Sequence, residues 1–123
     1  MKTLLSIGIG SFIGGALRYL VAQQVQKNVL STFPFGTLSV NIVGCFLIGL
    51  VFALSDRGNL SQEWRLFLAT GICGGFTTFS AFSNETIALL RDGQFLYAGL
   101  YVISSIILGL AATFLGYAIL KGL

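Results

Sequence analysis

Histidine is absent from this 123-residue chain, which also has only two cysteines, one proline and one tryptophan. Without histidine, the commonest general base and metal ligand is missing, and that weakens any enzymatic reading. Cys45 and Cys73 both fall inside apolar runs. Neither their number nor their spacing marks a metal site or a disulfide, so they read as small packing residues. Charge is scarcer still: 9% of residues are charged, where an ordinary soluble domain carries about 25%. The net charge of +3 is small and scattered, so nucleic acid is not expected as a partner.

What fills the chain instead is hydrophobic residue (55%) and glycine (16 residues), with a mean hydropathy of +0.91. A membrane span needs ~20 mostly apolar residues. Four spans with short loops use the whole chain, giving a single domain over 1–123 in contact with the lipid bilayer. The expected spans are about 3–22, 36–54, 64–90 and 95–120. Gln23, Gln24, Gln26, Lys27 and Asn28 should end the first. Pro34 suits the entry to the second, because a helix start leaves its missing donor unneeded. Ser55 to Asn59 and Arg91 to Gly93 stop the second and third. No small-residue cleavage site follows the N-terminal apolar run, so that run reads as a span. The fold class expected is an all-α membrane protein of four transmembrane helices.

The third span is interrupted by the run GGFTTFSAFS, Gly74 to Ser83. Backbone that leaves a helix within a bilayer strands polar groups at several kcal/mol each, and is tolerated only when buried in protein or lining a cavity. Transport proteins build ion sites from such breaks. The span then reads as two half-helices, roughly 65–73 and 79–90, joined by a break over 74–78; a mere kink is the plainer alternative. The first half would end in free carbonyls that favour a cation, and the second would begin with free amides. Thr77 or Thr78 is placed to cap it.

On an ideal helix Phe79, Phe82, Ser83 and Thr86 share a face about 100° wide. A phenyl edge carries the positive end of the ring quadrupole, and a hydroxyl donates one proton. Together they suit a small hydrated anion, though the same pattern also fits core phenylalanine with hydroxyls bonded to their own helix. Asn41, inside the second span, either donates to an anion or bridges two helices. Arg18 either snorkels to the interface or lines an electropositive vestibule. Glu85 is expected to pair with Arg18 or a backbone group. Glycines recur at helical spacing (Gly10 and Gly14, Gly71 and Gly75, Gly44 and Gly49), as expected for close helix packing.

An even number of spans puts both termini on one side, with Lys2, Arg57, Arg65 and Lys121. The opposite side has Lys27 and Arg91, with Arg18 near it. The positive-inside bias is almost nil, so insertion in both orientations, and an antiparallel pair, is the plain inference.

Three motifs carry a resemblance: GGALRY (Gly14 to Tyr19), PFGTLSVNIVGCF (Pro34 to Phe46) and GICGGFTTFSAFSNE (Gly71 to Glu85). Along nearly its whole length the chain resembles the Fluc fluoride channels, also called the CrcB family. Ala81 stands where that family often has Thr or Ser. The resemblance implies an antiparallel, dual-topology homodimer in the bacterial inner membrane that lets fluoride leave the cytoplasm passively. It implies Phe79, Phe82 and Asn41 in an anion pore, Ser80, Ser83 and Thr86 as a hydroxyl track, and Arg18 at the vestibule. It also implies a structural Na+ at the dimer centre, held by the backbone carbonyls of Gly74 and Thr77. Tyr101, Ser104, Ser105 and Thr113 are fourth-span candidates. Two other readings compete: a small dual-topology, proton-coupled multidrug exporter, and a non-transporting assembly subunit.

Overall fold

The computed structural model describes residues 1–29 and 31–121. Its regular structure is helical throughout: α1 (Lys2–Lys27), α2 (Phe35–Asp56), α3 (Gln62–Arg65), a π-wound segment (Leu66–Cys73), α4 (Gly74–Phe76), α5 (Phe79–Arg91) and α6 (Phe95–Lys121). Four stretches are long and apolar enough to cross a membrane: α1, α2, α6 and the run from Gln62 to Arg91.

The first span is longer than its composition predicts. Gln23 to Lys27 continue the helix because glutamine is a good helix former and its amide finds partners in the next loop. Gln26 Nε2 donates to the carbonyls of Ser31 (3.2 Å) and Phe33 (3.1 Å), while its Oε1 accepts from the N–H of Gly36 at 2.9 Å. One side chain thereby fixes the entry into α2, just past Pro34, which caps that helix.

The ends of α2 and α5 are closed alike. Gly58 (φ 75°) and Gly93 (φ 77°) take the left-handed conformation that glycine adopts without steric cost. After each, the next amide reaches back into the helix: Asn59 N–H to Leu54 C=O (3.1 Å) and Gln94 N–H to Leu89 C=O (2.9 Å), as in a Schellman closure. Two exposed ion pairs, Lys2 with Glu63 and Lys121 with Asp56, each 3.9 Å, gather both ends of the chain at one end of the bundle.

The centre of the bundle is α2, with 39% of its apolar window buried inside the chain against 11% for α1 and for α6. Helix α1 lies against the first half of the third span, and the glycines explain how. A Cβ on Gly10 would stand 2.7 Å from Phe67 O, and one on Gly75 would stand 2.6 Å from Ser11 O. The two GxxxG motifs thus face one another, with backbone against backbone. Gly116 of α6 meets the Phe46 carbonyl of α2 in the same manner, and Gly49 of α2 meets Thr113 O. An apolar cluster of Phe33, Leu38, Leu89, Ala98 and Tyr101 closes the bundle at the end opposite the termini, with Phe82 packed on it.

Candidate ion site

The backbone of the third span changes conformation at two residues, Thr77 (φ −90°, ψ 158°) and Thr78 (φ −152°, ψ 121°), which are extended between α4 and α5. Non-helical backbone is narrower than the expected 74–78, because Gly74, Gly75 and Phe76 are helical. Gly75 serves close packing on α1, not conformational freedom. Ahead of it, Leu66 to Cys73 are wound as π-helix, a form commonest at functional sites.

Four of the backbone groups released at the break bond to side chains. Had the helix continued, Thr78 N–H would donate to Gly74 C=O. It donates instead to Asn41 Oδ1 at 3.0 Å, and Asn41 Nδ2 returns a bond to Thr78 C=O at 3.3 Å. Ala81 N–H, due to Thr77 C=O, is taken by Thr78 Oγ1 at 3.1 Å, so Thr78 is the N-cap of α5. Gly75 C=O, left by Phe79, accepts from Arg18 Nε at 3.3 Å. Gly74 and Thr77 have therefore both lost their i+4 donors to side chains. Their carbonyls are the ones predicted to face a cation, and Gly74 is exposed on the surface of the chain.

Beside these residues lies a cavity of about 370 Å³ lined by Asn41, Gly74, Thr77, Thr78, Phe79 and Phe82, among others. The two phenyl rings are 5.7 Å apart, and Phe82 is 5.0 Å from the ring of Tyr101. Phe82 is half-buried, whereas Phe79 is 79% exposed on the single chain. The hydroxyls divide. Thr86 Oγ1 donates to Phe82 C=O (2.8 Å), Ser104 to Tyr101 C=O (3.3 Å), Thr113 to Gly109 C=O (3.1 Å) and Thr77 to Cys73 C=O (3.0 Å). Each of those single protons is held by its own helix or span. Ser80 shares a 3.1 Å bond with Thr78 Oγ1, and Ser83 is exposed. Ser105 lines the cavity with its Oγ buried and without a hydrogen-bond partner among the described residues. That orphaned hydroxyl is the donor set most clearly by the fold, and the sequence marked it only weakly.

A second cavity, about 480 Å³, lies toward the α1–α2 loop and is lined by Arg18, Gln23, Gln26, Lys27, Thr37 and Glu85, among others. The expectation for Glu85 is corrected here. Its carboxylate accepts from Thr37 Oγ1 and Tyr101 OH, each at 2.9 Å, and not from Arg18 or a backbone group. It shares this cavity with first-span residues, Arg18 among them. Thr37 had no mark in the sequence beyond its place inside a span. A carboxylate at that depth calls for donors, and Thr37 and Tyr101 supply them.

Comparison with known proteins covers the same ground from end to end. The profile of the CrcB-like protein, Camphor Resistance (CrcB) family matches residues 5–117. A fluoride-specific ion channel FluC of Flavobacterium psychrophilum is 49% identical, with 100% of both chains covered. The channel of the same name from Thermus thermophilus is 50% identical over 95% of this chain and 94% of its own. That from Chlorobium phaeobacteroides is 49% identical over 96% and 92%. A family profile matched over residues 5–117, with identity at about half of the positions to relatives covered along nearly their whole length, makes this chain a member of the CrcB family.

Proposed function

We infer that the chain is a fluoride-specific ion channel, a multi-pass protein of the bacterial plasma membrane that lets fluoride leave the cytoplasm down its electrochemical gradient. The observation that carries this reading is the full-length identity of about one half to channels of that name. The geometry agrees with passive conduction. The cavity beside the extended threonines is lined by two phenyl rings and the free Ser105 hydroxyl, and a ring edge and a hydroxyl proton each attract a small anion without a fixed charge. Such a site binds strongly enough to admit the ion and weakly enough to release it. A proton-coupled exporter needs a carboxylate in a central chamber, and Glu85 instead lines the cavity toward the α1–α2 loop, where two hydroxyls hold it.

Within this reading, Phe79 and Phe82 line the pore, Ser80 and Ser83 extend the hydroxyl track, Thr86 gives up its bond to Phe82 C=O to join it, and Arg18 and Lys27 make the vestibule electropositive. Asn41 holds the backbone of Thr78 in place with two bonds and keeps its second amide proton for the anion. Two copies pair in antiparallel fashion. The support for this is the near-absence of charge bias. The carbonyls of Gly74 and Thr77 fit a monovalent cation, since both lack their helical donors and no carboxylate stands among them. A sodium ion there would offset the mutual repulsion of carbonyls from two chains and act as structure.

The test in cells is direct. A bacterium stripped of its own fluoride exporter should regain growth in fluoride medium at low external pH when it expresses this chain. Growth no better than with an empty vector would contradict the assignment.

A further inference from the structure

Two nucleophilic groups are left unused by the ion path. Cys45 of α2 and Cys73, the last π-wound residue, are both free thiols, and both line the 370 Å³ cavity. Gly44, next to Cys45, packs on Thr77, where an added Cβ would run into the threonine methyl, so α2 lies against the segment that follows Cys73. In sequence they read as separate packing residues, but the fold gives them a common space. Helix α6 packs on Cys45 with a glycine: a Cβ on Gly109 would stand 3.5 Å from Cys45 Sγ. Cys73 is tied to the extended segment, because its carbonyl accepts both the N–H (2.9 Å) and the Oγ1 (3.0 Å) of Thr77.

We propose that Cys45 and Cys73 form a two-thiol site for a soft, thiophilic cation of the Hg2+ class, and that filling it blocks the adjacent ion path. The second half rests on the fluoride-channel reading. Soft cations take sulfur ligands, whereas calcium and magnesium need oxygens. No group of three or more His, Cys, Asp or Glu gathers among the described residues, so a four-ligand zinc site is not offered, but two sulfurs suffice for Hg2+. In the reaction two S–H bonds break, two Hg–S bonds form and two protons pass to water. Nothing is oxidised or reduced. The product is neutral, which suits the apolar wall of the cavity, where a net charge would be costly. It would sit beside Thr77, Thr78 and Phe79.

Purified protein titrated with Hg2+ should show mercury–thiolate absorption that saturates at one ion per chain. In liposomes the same ion should cut fluoride efflux more than tenfold, with recovery on adding a dithiol. Cys45→Ala and Cys73→Ala should each need at least tenfold more Hg2+ for half-inhibition, relative to their own untreated flux, and the double variant should not respond. Two ions bound per wild-type chain, or equal inhibition of the double variant, overturns the site. If a variant fails to fold, the wild-type stoichiometry still decides. If untreated liposomes pass no fluoride, the channel reading fails, and the absorption titration continues to judge the thiols alone.

Discussion

Asn41 holds both backbone groups of Thr78, and no other residue does so among the described residues. Asn41→Leu would strand an N–H and a C=O at about 1–3 kcal/mol each. The expected result is a clear drop in thermal stability in detergent together with loss of fluoride flux. Unchanged stability would mean that Thr78 finds other partners. The two phenylalanines should separate by burial. Phe79→Ile removes an exposed ring and should barely change stability, whereas Phe82→Ile disturbs a contact with Tyr101 and should cost about 1–2 kcal/mol. Flux should fall in both. Wild-type flux in both would reduce the rings to packing. At this scale the sequence was readable where chemistry is local, as in the Thr78 cap. It was unreadable where partners come from afar: Glu85 needed the positions of Thr37 and Tyr101, and Arg18 needed that of Gly75.

Helix contacts are set by which glycines meet backbone. A Cβ on Gly14 would run into Ile72 O and stand 2.9 Å from Phe76 N, whereas one on Gly15, its neighbour, would meet nothing within 4 Å. Gly14→Ala should therefore destabilise the protein, by more than 1 kcal/mol, and Gly15→Ala should leave it unchanged or slightly firmer because alanine favours helix. Equal melting temperatures for the two variants would contradict the packing described. The spans themselves were legible as long apolar runs closed by Gly58 and Gly93. The end of α1 was not, because Gln26 reaches Ser31 and Phe33 of the following loop and Gly36 of α2. The π winding was also hidden, since no local residue pattern encodes it and it accompanies the tight seating of this segment on α1.

For the whole molecule, the charges that orient a membrane chain nearly balance. Lys2, Arg57, Arg65 and Lys121 mark the end with the termini, and Lys27, Arg91 and Arg18 the other. Tagged termini should be found on both faces of the membrane in comparable amounts. Adding two or three lysines to the Ser55–Asn59 loop should bias them to the cytoplasmic face. If such a fixed-orientation form alone retained full flux, the antiparallel pairing would be wrong. The central claim is fluoride selectivity by passive conduction, and its most direct test is ion-specific efflux from liposomes holding the purified chain. Fluoride should leave rapidly down its gradient, accelerate with an interior-negative potential and ignore an imposed pH gradient, while chloride stays inside. Chloride efflux at a comparable rate, or fluoride efflux only with a proton gradient, would contradict it.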